Sequence, residues 1–112
     1  MIMTGQALFI DYEYCSGCRS CEFACRNEHD LKADQWGIRV LEDKPWQLDD
    51  GTWNWNYIPT LSKLCDLCAE KTSRGEEPSC VMHCQAKVIE YGDYDELLKR
   101  LSEKAMSYII RP

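Results

Sequence analysis

The chain has 112 residues, with 19 acidic and 13 basic side chains and a formal net charge of −6 at pH 7. This length predicts a single domain, residues 1–112, with a modest core, and the acidic surface, which repels phosphate backbones, argues against nucleic-acid binding. Residues 1–11 contain no secretory signal, and no apolar run approaches the ~20 residues that span a bilayer, so we expect a cytoplasmic protein without a membrane span.

The N-terminal segment predicts a strand followed by a cysteine-rich loop and a helix. Residues 6–12 are apolar and rich in strand formers, which indicates an edge strand. From Cys21 onward the pattern predicts a helix of about two or three turns with Ser20 as its N-cap. Phe23 and Ala24 on this helix are expected to pack beside the site that the cysteines form.

Residues 31–58 form a spacer without cysteine that contains all four tryptophans. The segments 38–41 and 52–58 suit strands, and the turn chemistry of residues 49–51 between them predicts a β-hairpin insertion. Three rings alternate along one face of the second strand: Trp53, Trp55 and Tyr57. We expect these rings either to pack over the cysteine sites or to form a hydrophobic docking face for a partner subunit.

The C-terminal third predicts short helices, a strand and a final helix. Pro78 and Ser79 suit the start of a short helix, and residues 87–91 favour a strand. Apolar residues recur at helical spacing from Tyr94 to Ile109, which predicts an amphipathic C-terminal helix within residues 93–112. The elements together predict an α+β fold.

Eight cysteines form two motifs. The run C-x2-C-x2-C-x3-C extends from Cys15 to Cys25, and C-x2-C-x11-C-x3-C extends from Cys65 to Cys84. The first run places three thiolates within seven residues, which suits a metal-sulfur cube. It is the spacing by which bacterial ferredoxins ligate clusters, with the fourth cysteine serving the other cluster where two are present. Gly17 allows the backbone to pass close to such a cube.

Two other uses of the cysteines compete with this interpretation. Zinc held by four thiolates also uses C-x2-C pairs, but normally as two separated pairs, and disulfides belong to oxidising compartments. We therefore favour clusters over a zinc-binding structural module or a disulfide scaffold. Because eight thiolates complete two cubanes, His29 and His83 are interpreted as ordinary polar residues.

Residues 15–28 and 64–87 resemble bacterial two-cluster [4Fe-4S] ferredoxins, and more closely the iron-sulfur electron-transfer subunits of the dimethyl sulfoxide reductase and formate dehydrogenase type. The resemblance implies a ferredoxin-like dicluster domain and two [4Fe-4S] clusters with crossed ligands. The implied ligands are Cys15, Cys18, Cys21 and Cys84 for the first cluster and Cys25, Cys65, Cys68 and Cys80 for the second. Those subunits usually carry four cysteine motifs, of which this chain resembles the first and last. Arg26 and Gln85 replace the proline that follows the fourth cysteine in simple ferredoxins.

The sequence contains no Ser/His/Asp set, phosphate-binding glycine loop, or flavin or nicotinamide motif, so a substrate site is not predicted. Two cubanes in one small domain predict electron transfer. The resemblance implies a non-catalytic subunit that relays electrons between a catalytic molybdenum or tungsten pterin subunit and a further carrier. A freely diffusing dicluster ferredoxin is the alternative. The aromatic insertion and the C-terminal helix exceed what a minimal carrier needs and favour the subunit.

Overall fold

The computed structural model describes residues 5–111. These residues contain two β-sheets and four α-helices. In chain order the elements are β1 (Gln6–Asp11), a 3-10 turn (Tyr12–Tyr14), α1 (Ser20–His29), β2 (Ile38–Gln47), β3 (Trp53–Leu61), α2 (Ala69–Ser73), α3 (Ser79–His83), β4 (Ile89–Asp93), α4 (Tyr94–Leu101) and β5 (Ser107–Ile110). This mixture confirms the predicted α+β class. Residues 1–4 and 112, the ends of the predicted domain and of the predicted helix 93–112, lie outside the described residues. Among the described helices, none combines the length and apolarity needed to cross a bilayer.

The three-stranded sheet has β1 at its centre, antiparallel to β4 on one side and to β5 on the other. The prediction of an edge strand at residues 6–12 is therefore wrong. Residues 7–10 are fully buried because both edges of β1 are paired and both of its faces are covered. The face with Leu8 turns to the core that includes the cysteines, and the face with Phe9 packs on Leu97 of α4.

The C-terminal segment holds a short helix followed by a strand, since α4 ends at Leu101 and the chain re-enters the sheet as β5. The prediction of one helix from Tyr94 to Ile109 is wrong beyond Leu101. Met106 has a φ of 53°, a left-handed conformation that no α-helix contains. In β5, Ile109 faces α4 while the neighbouring Tyr108 faces the other core. The apolar residues of this segment therefore satisfy strand alternation as well as helical spacing.

β2 and β3 pair as an antiparallel hairpin where the sequence predicts one, although both strands are longer than expected. A bulge between Asp43 and Trp46 interrupts the pairing. At the turn, the Asp50 carboxylate accepts hydrogen bonds from the Thr52 backbone N–H at 3.0 Å and from its hydroxyl at 2.6 Å. These contacts stabilise the reversal of the chain through side-chain hydrogen bonding typical of turns.

The aromatic side chains of the hairpin divide into a buried and an exposed set. Tyr57, near the base, packs against the core, whereas Trp46, Trp53 and Trp55 are each more than half exposed. The Trp55 indole N–H donates to the Glu42 carboxylate at 3.0 Å. Packing over the cysteine sites is therefore correct for Tyr57 and wrong for Trp53 and Trp55, because the outer part of the hairpin projects from the core.

The sequence predicts where the two cysteine-bearing helices, α1 and α3, begin. The prediction is correct for α3 and differs by one residue for α1. Ser20 is the first residue of α1 and not its N-cap, because Arg19 before it has a left-handed φ of 65°. Pro78 directly precedes α3 with an extended ψ, as the sequence predicts. α1 and α3 pack against each other and bring the two cysteine motifs into one core.

Candidate metal-sulfur centre

Four thiols from opposite ends of the chain line one largely enclosed cavity. They belong to Cys15, Cys18, Cys21 and Cys84. Cys15 and Cys18 lie in the loop before α1, Cys21 is the second residue of α1, and Cys84 directly follows α3. Val40, Pro59 and Val88 form apolar walls. Cys18 is exposed and the other three are buried or half-buried, so this first cysteine group meets the surface at Cys18.

The loop that carries the first group is held against the base of the hairpin. Gly17 has a φ of 75°, and a Cβ added there would lie 2.7 Å from the Tyr57 ring. Arg19 donates to the Val40 carbonyl at 2.9 Å and to the Glu22 carboxylate at 2.8 Å. Glu22 in turn accepts from the Val40 backbone N–H at 2.7 Å. The loop and β2 are thereby joined by a closed set of charge-assisted hydrogen bonds.

The remaining four cysteines form the second cysteine group: Cys25 on α1, Cys65 and Cys68 in the segment before α2, and Cys80 on α3. A Cβ added to Gly37 would lie 2.6 Å from Cys25 Sγ and 4.0 Å from the Cys65 backbone. Burial raises the pKa of both Cys25 and Cys65, and the charge of Cys68 raises each of them further. Gly37 therefore lies between Cys25 and Cys65, and Cys80 belongs to the same buried core as Cys25.

Burial is the main influence on the pKa of six of the thiols: Cys15, Cys21, Cys25, Cys65, Cys68 and Cys80. It raises the pKa of Cys21 to about 12 and of Cys65 to about 11. It also raises the pKa of Cys80, and the charge of Cys21 raises it further. Hydrogen bonds from Ser20 instead lower the pKa of the exposed Cys18. Because metal ligands must be thiolates, ionisation of the buried thiols requires a positively charged metal core.

The donor set fits iron-sulfur clusters, which are ligated by cysteine thiolates. Backbone N–H groups donate to two of the sulfurs, from Leu67 to Cys65 Sγ at 3.5 Å and from Val88 to Cys84 Sγ at 3.4 Å. Within residues 5–111, no three His, Cys, Asp or Glu side chains converge closely enough to hold a single metal ion. The thiols of the first group are instead spread around a cavity.

One contact at the second group was not predicted from the sequence. His29 Nε2 lies 3.3 Å from Cys68 Sγ and 3.9 Å from the Asp66 carboxylate, so its imidazole contacts a thiol of the second group. The signal was its position four residues after Cys25, which places both side chains on the same face of α1. The expectation for Phe23 is wrong, because its side chain is 66% exposed.

No family model matches the chain. An anaerobic dimethyl sulfoxide reductase chain of Escherichia coli K12 is 34% identical over 84 residues, covering 72% of this chain and 38% of that protein. The Haemophilus influenzae protein of the same name is 32% identical over 88 residues, covering 75% and 43%. A Halobacterium salinarum protein named as a dimethyl sulfoxide reductase iron-sulfur subunit is 32% identical over 88 residues, covering 78% and 31%.

This chain is related to the iron-sulfur subunits of dimethyl sulfoxide reductases. The relationship confirms the resemblance predicted from the cysteine motifs. The chain spans less than half the length of each of these three relatives.

Proposed function

We propose that this chain is an electron-transfer subunit that holds two [4Fe-4S] clusters. Cys15, Cys18, Cys21 and Cys84 bind the first, and Cys25, Cys65, Cys68 and Cys80 bind the second. The observation that carries the proposal is the cavity of the first group, in which a thiol from the C-terminal motif completes a set of three from the N-terminal motif. One cysteine of the N-terminal run, Cys25, is left to lie with the C-terminal motif.

The residues around the thiols have separate tasks in this function. When bound, the cubanes supply one-electron chemistry. The Val40 and Pro59 walls shield one side of the first group, which meets the surface at Cys18. The N–H groups of Leu67 and Val88 donate to thiolate sulfurs and so stabilise their negative charge. Cys21 of the first group and Cys80 of the second belong to one buried core, which supports a short path for an electron between the clusters.

A catalytic partner is part of the proposal because the relatives are named as single chains of reductases. The expected partner is a molybdenum or tungsten pterin subunit, with a further carrier at the other end of the path. The exposed Trp46, Trp53 and Trp55 favour this role over a freely diffusing ferredoxin. Tryptophans are enriched at protein interfaces and rarely cluster on the free surface of a small carrier.

Anaerobic purification of the native protein tests the partnership. We expect it to co-elute with a catalytic chain whose fractions contain molybdenum or tungsten. Replacing Trp53 and Trp55 by Ser is expected to weaken the association at least tenfold, whereas Phe23→Ser, which removes an exposed ring elsewhere, leaves it unchanged. Elution of the cluster-bearing protein as a monomer without a catalytic chain would contradict the subunit role and support the free carrier.

A further inference from the structure

Lys71, on the short helix α2, places a buried positive charge behind the second cysteine group. Its side chain is 11% exposed. The ammonium donates to the Ser79 hydroxyl at 3.2 Å and lies 3.8 Å from a Glu28 carboxylate oxygen. Burying an ammonium costs free energy unless negative charge offsets it. Glu28 is 34% exposed and not in direct hydrogen-bond contact, so it offsets only part of the cost.

The contacts of Lys71 join the three helices that present the second group. The Ser79 hydroxyl donates to Glu28 at 3.1 Å, and Lys71 also contacts Met82 Sδ at 3.4 Å. Glu28 lies three residues after Cys25 on α1, and Lys71 lies three residues after Cys68. Ser79 directly precedes Cys80 on α3. The residues of this network are therefore one to three positions along the chain from three of the four cysteines of this group.

The Lys71 ammonium lies on the side of the second group. Its helix α2 begins directly after Cys68, and it donates to the hydroxyl of Ser79, the residue before Cys80. The corresponding cation of the first group, Arg19, is 42% exposed and ion-paired with Glu22 at 2.8 Å. Solvent and that close carboxylate weaken the field of Arg19. The two groups thus differ in how strongly a cation acts on them.

We propose that Lys71 is a positioning residue that raises the reduction potential of the cluster held by Cys25, Cys65, Cys68 and Cys80. This inference rests on the two clusters proposed above. Reduction by one electron adds a negative charge to a cluster without forming or breaking a bond to Lys71. A nearby ammonium at low dielectric stabilises that added charge more than water does. The partly exposed Glu28 carboxylate opposes Lys71 and lowers the same potential.

Redox titrations followed by EPR test this role in the anaerobically purified protein, with dithionite as the one-electron donor. In Lys71→Gln we expect one of the two midpoint potentials to fall by at least ~59 mV, which for one electron is a tenfold change in the redox equilibrium constant. Lys71→Arg keeps the positive charge, so both of its midpoint potentials are expected to stay close to those of the unchanged protein. Lys63→Gln is the matched control, since Lys63 lies two residues before Cys65 but is exposed, and both potentials should remain unchanged.

A second variant separates electrostatics from packing. Glu28→Gln is expected to raise the potential that Lys71→Gln lowers, and a purely structural role would not produce opposite signs. If both variants retain two clusters with unchanged potentials, Lys71 has only a structural role and the inference is overturned while the two-cluster proposal stands. If Lys71→Gln loses its clusters, an unchanged potential in Glu28→Gln overturns the inference. If the unchanged protein shows no cubane signals, both proposals fail.

Discussion

The two cysteine groups present the same four-thiol chemistry in different surroundings. The first reaches the surface at Cys18, and its neighbouring cation, Arg19, is partly exposed and ion-paired. The second has three buried thiols, with the His29 ring against Cys68 and a buried Lys71 behind the helices. Identical ligands therefore do not make identical sites. Solvent and fixed charges around the sulfurs are expected to set the redox properties of each cluster separately.

The largest effect is expected from removing the thiol that crosses between the motifs. Cys25→Ser should abolish the second cluster although Cys25 belongs to the first sequence motif, because its neighbours are Cys65 and Cys68. Cys84→Ser is the matched variant and should abolish the first cluster. EPR of the reduced proteins, with iron content, measures which cluster is lost. Loss of the same cluster in both variants would contradict the crossed assignment.

Replacing a glycine beside each cysteine group by alanine is expected to have a smaller effect than removing a thiol. Gly37→Ala places a Cβ 2.6 Å from Cys25 Sγ and should disturb the second group, whereas Gly17→Ala places one 2.7 Å from the Tyr57 ring and should disturb the first. Each is expected to destabilise the holoprotein by about 1–3 kcal/mol, the usual cost of overpacking. Gly17→Ala should be the worse of the two because its φ of 75° adds strain.

Anaerobic urea denaturation measures these effects, and the EPR signals show which cluster is lost first. Gly75→Ala is the control, since its φ is 83° but nothing lies within 4 Å of the added Cβ. It should cost about 1 kcal/mol from the backbone alone and leave both clusters intact. Equal loss of both clusters in Gly37→Ala and Gly17→Ala would show that the two groups are not separate sites.

The cysteine spacing was the most informative feature of the sequence because loop length and thiol position are tied to the size of a cluster. The hairpin was also predictable, since Asp50 and Gly51 supply turn chemistry between alternating strands. The exposure of Trp53 and Trp55 was not, because alternation fixes the face of a strand and not what covers that face.

Features that depend on contacts between residues far apart in the sequence were not predicted. The central place of β1 follows from its pairing with β5, about 100 residues later in the chain. The apolar residues near Tyr108 satisfy both a helix and a strand, and only that pairing decides between them. Lys71 has no local signal, because its burial arises where α1, α2 and α3 meet.

The proposed electron transfer requires that the eight thiolates hold two [4Fe-4S] clusters. Metal and acid-labile sulfide analysis of freshly isolated anaerobic protein measures whether they do. We predict about eight iron and about eight sulfide per chain, with visible absorbance that bleaches on addition of dithionite. Iron and sulfide near zero, with about two zinc ions per chain in their place, would contradict it.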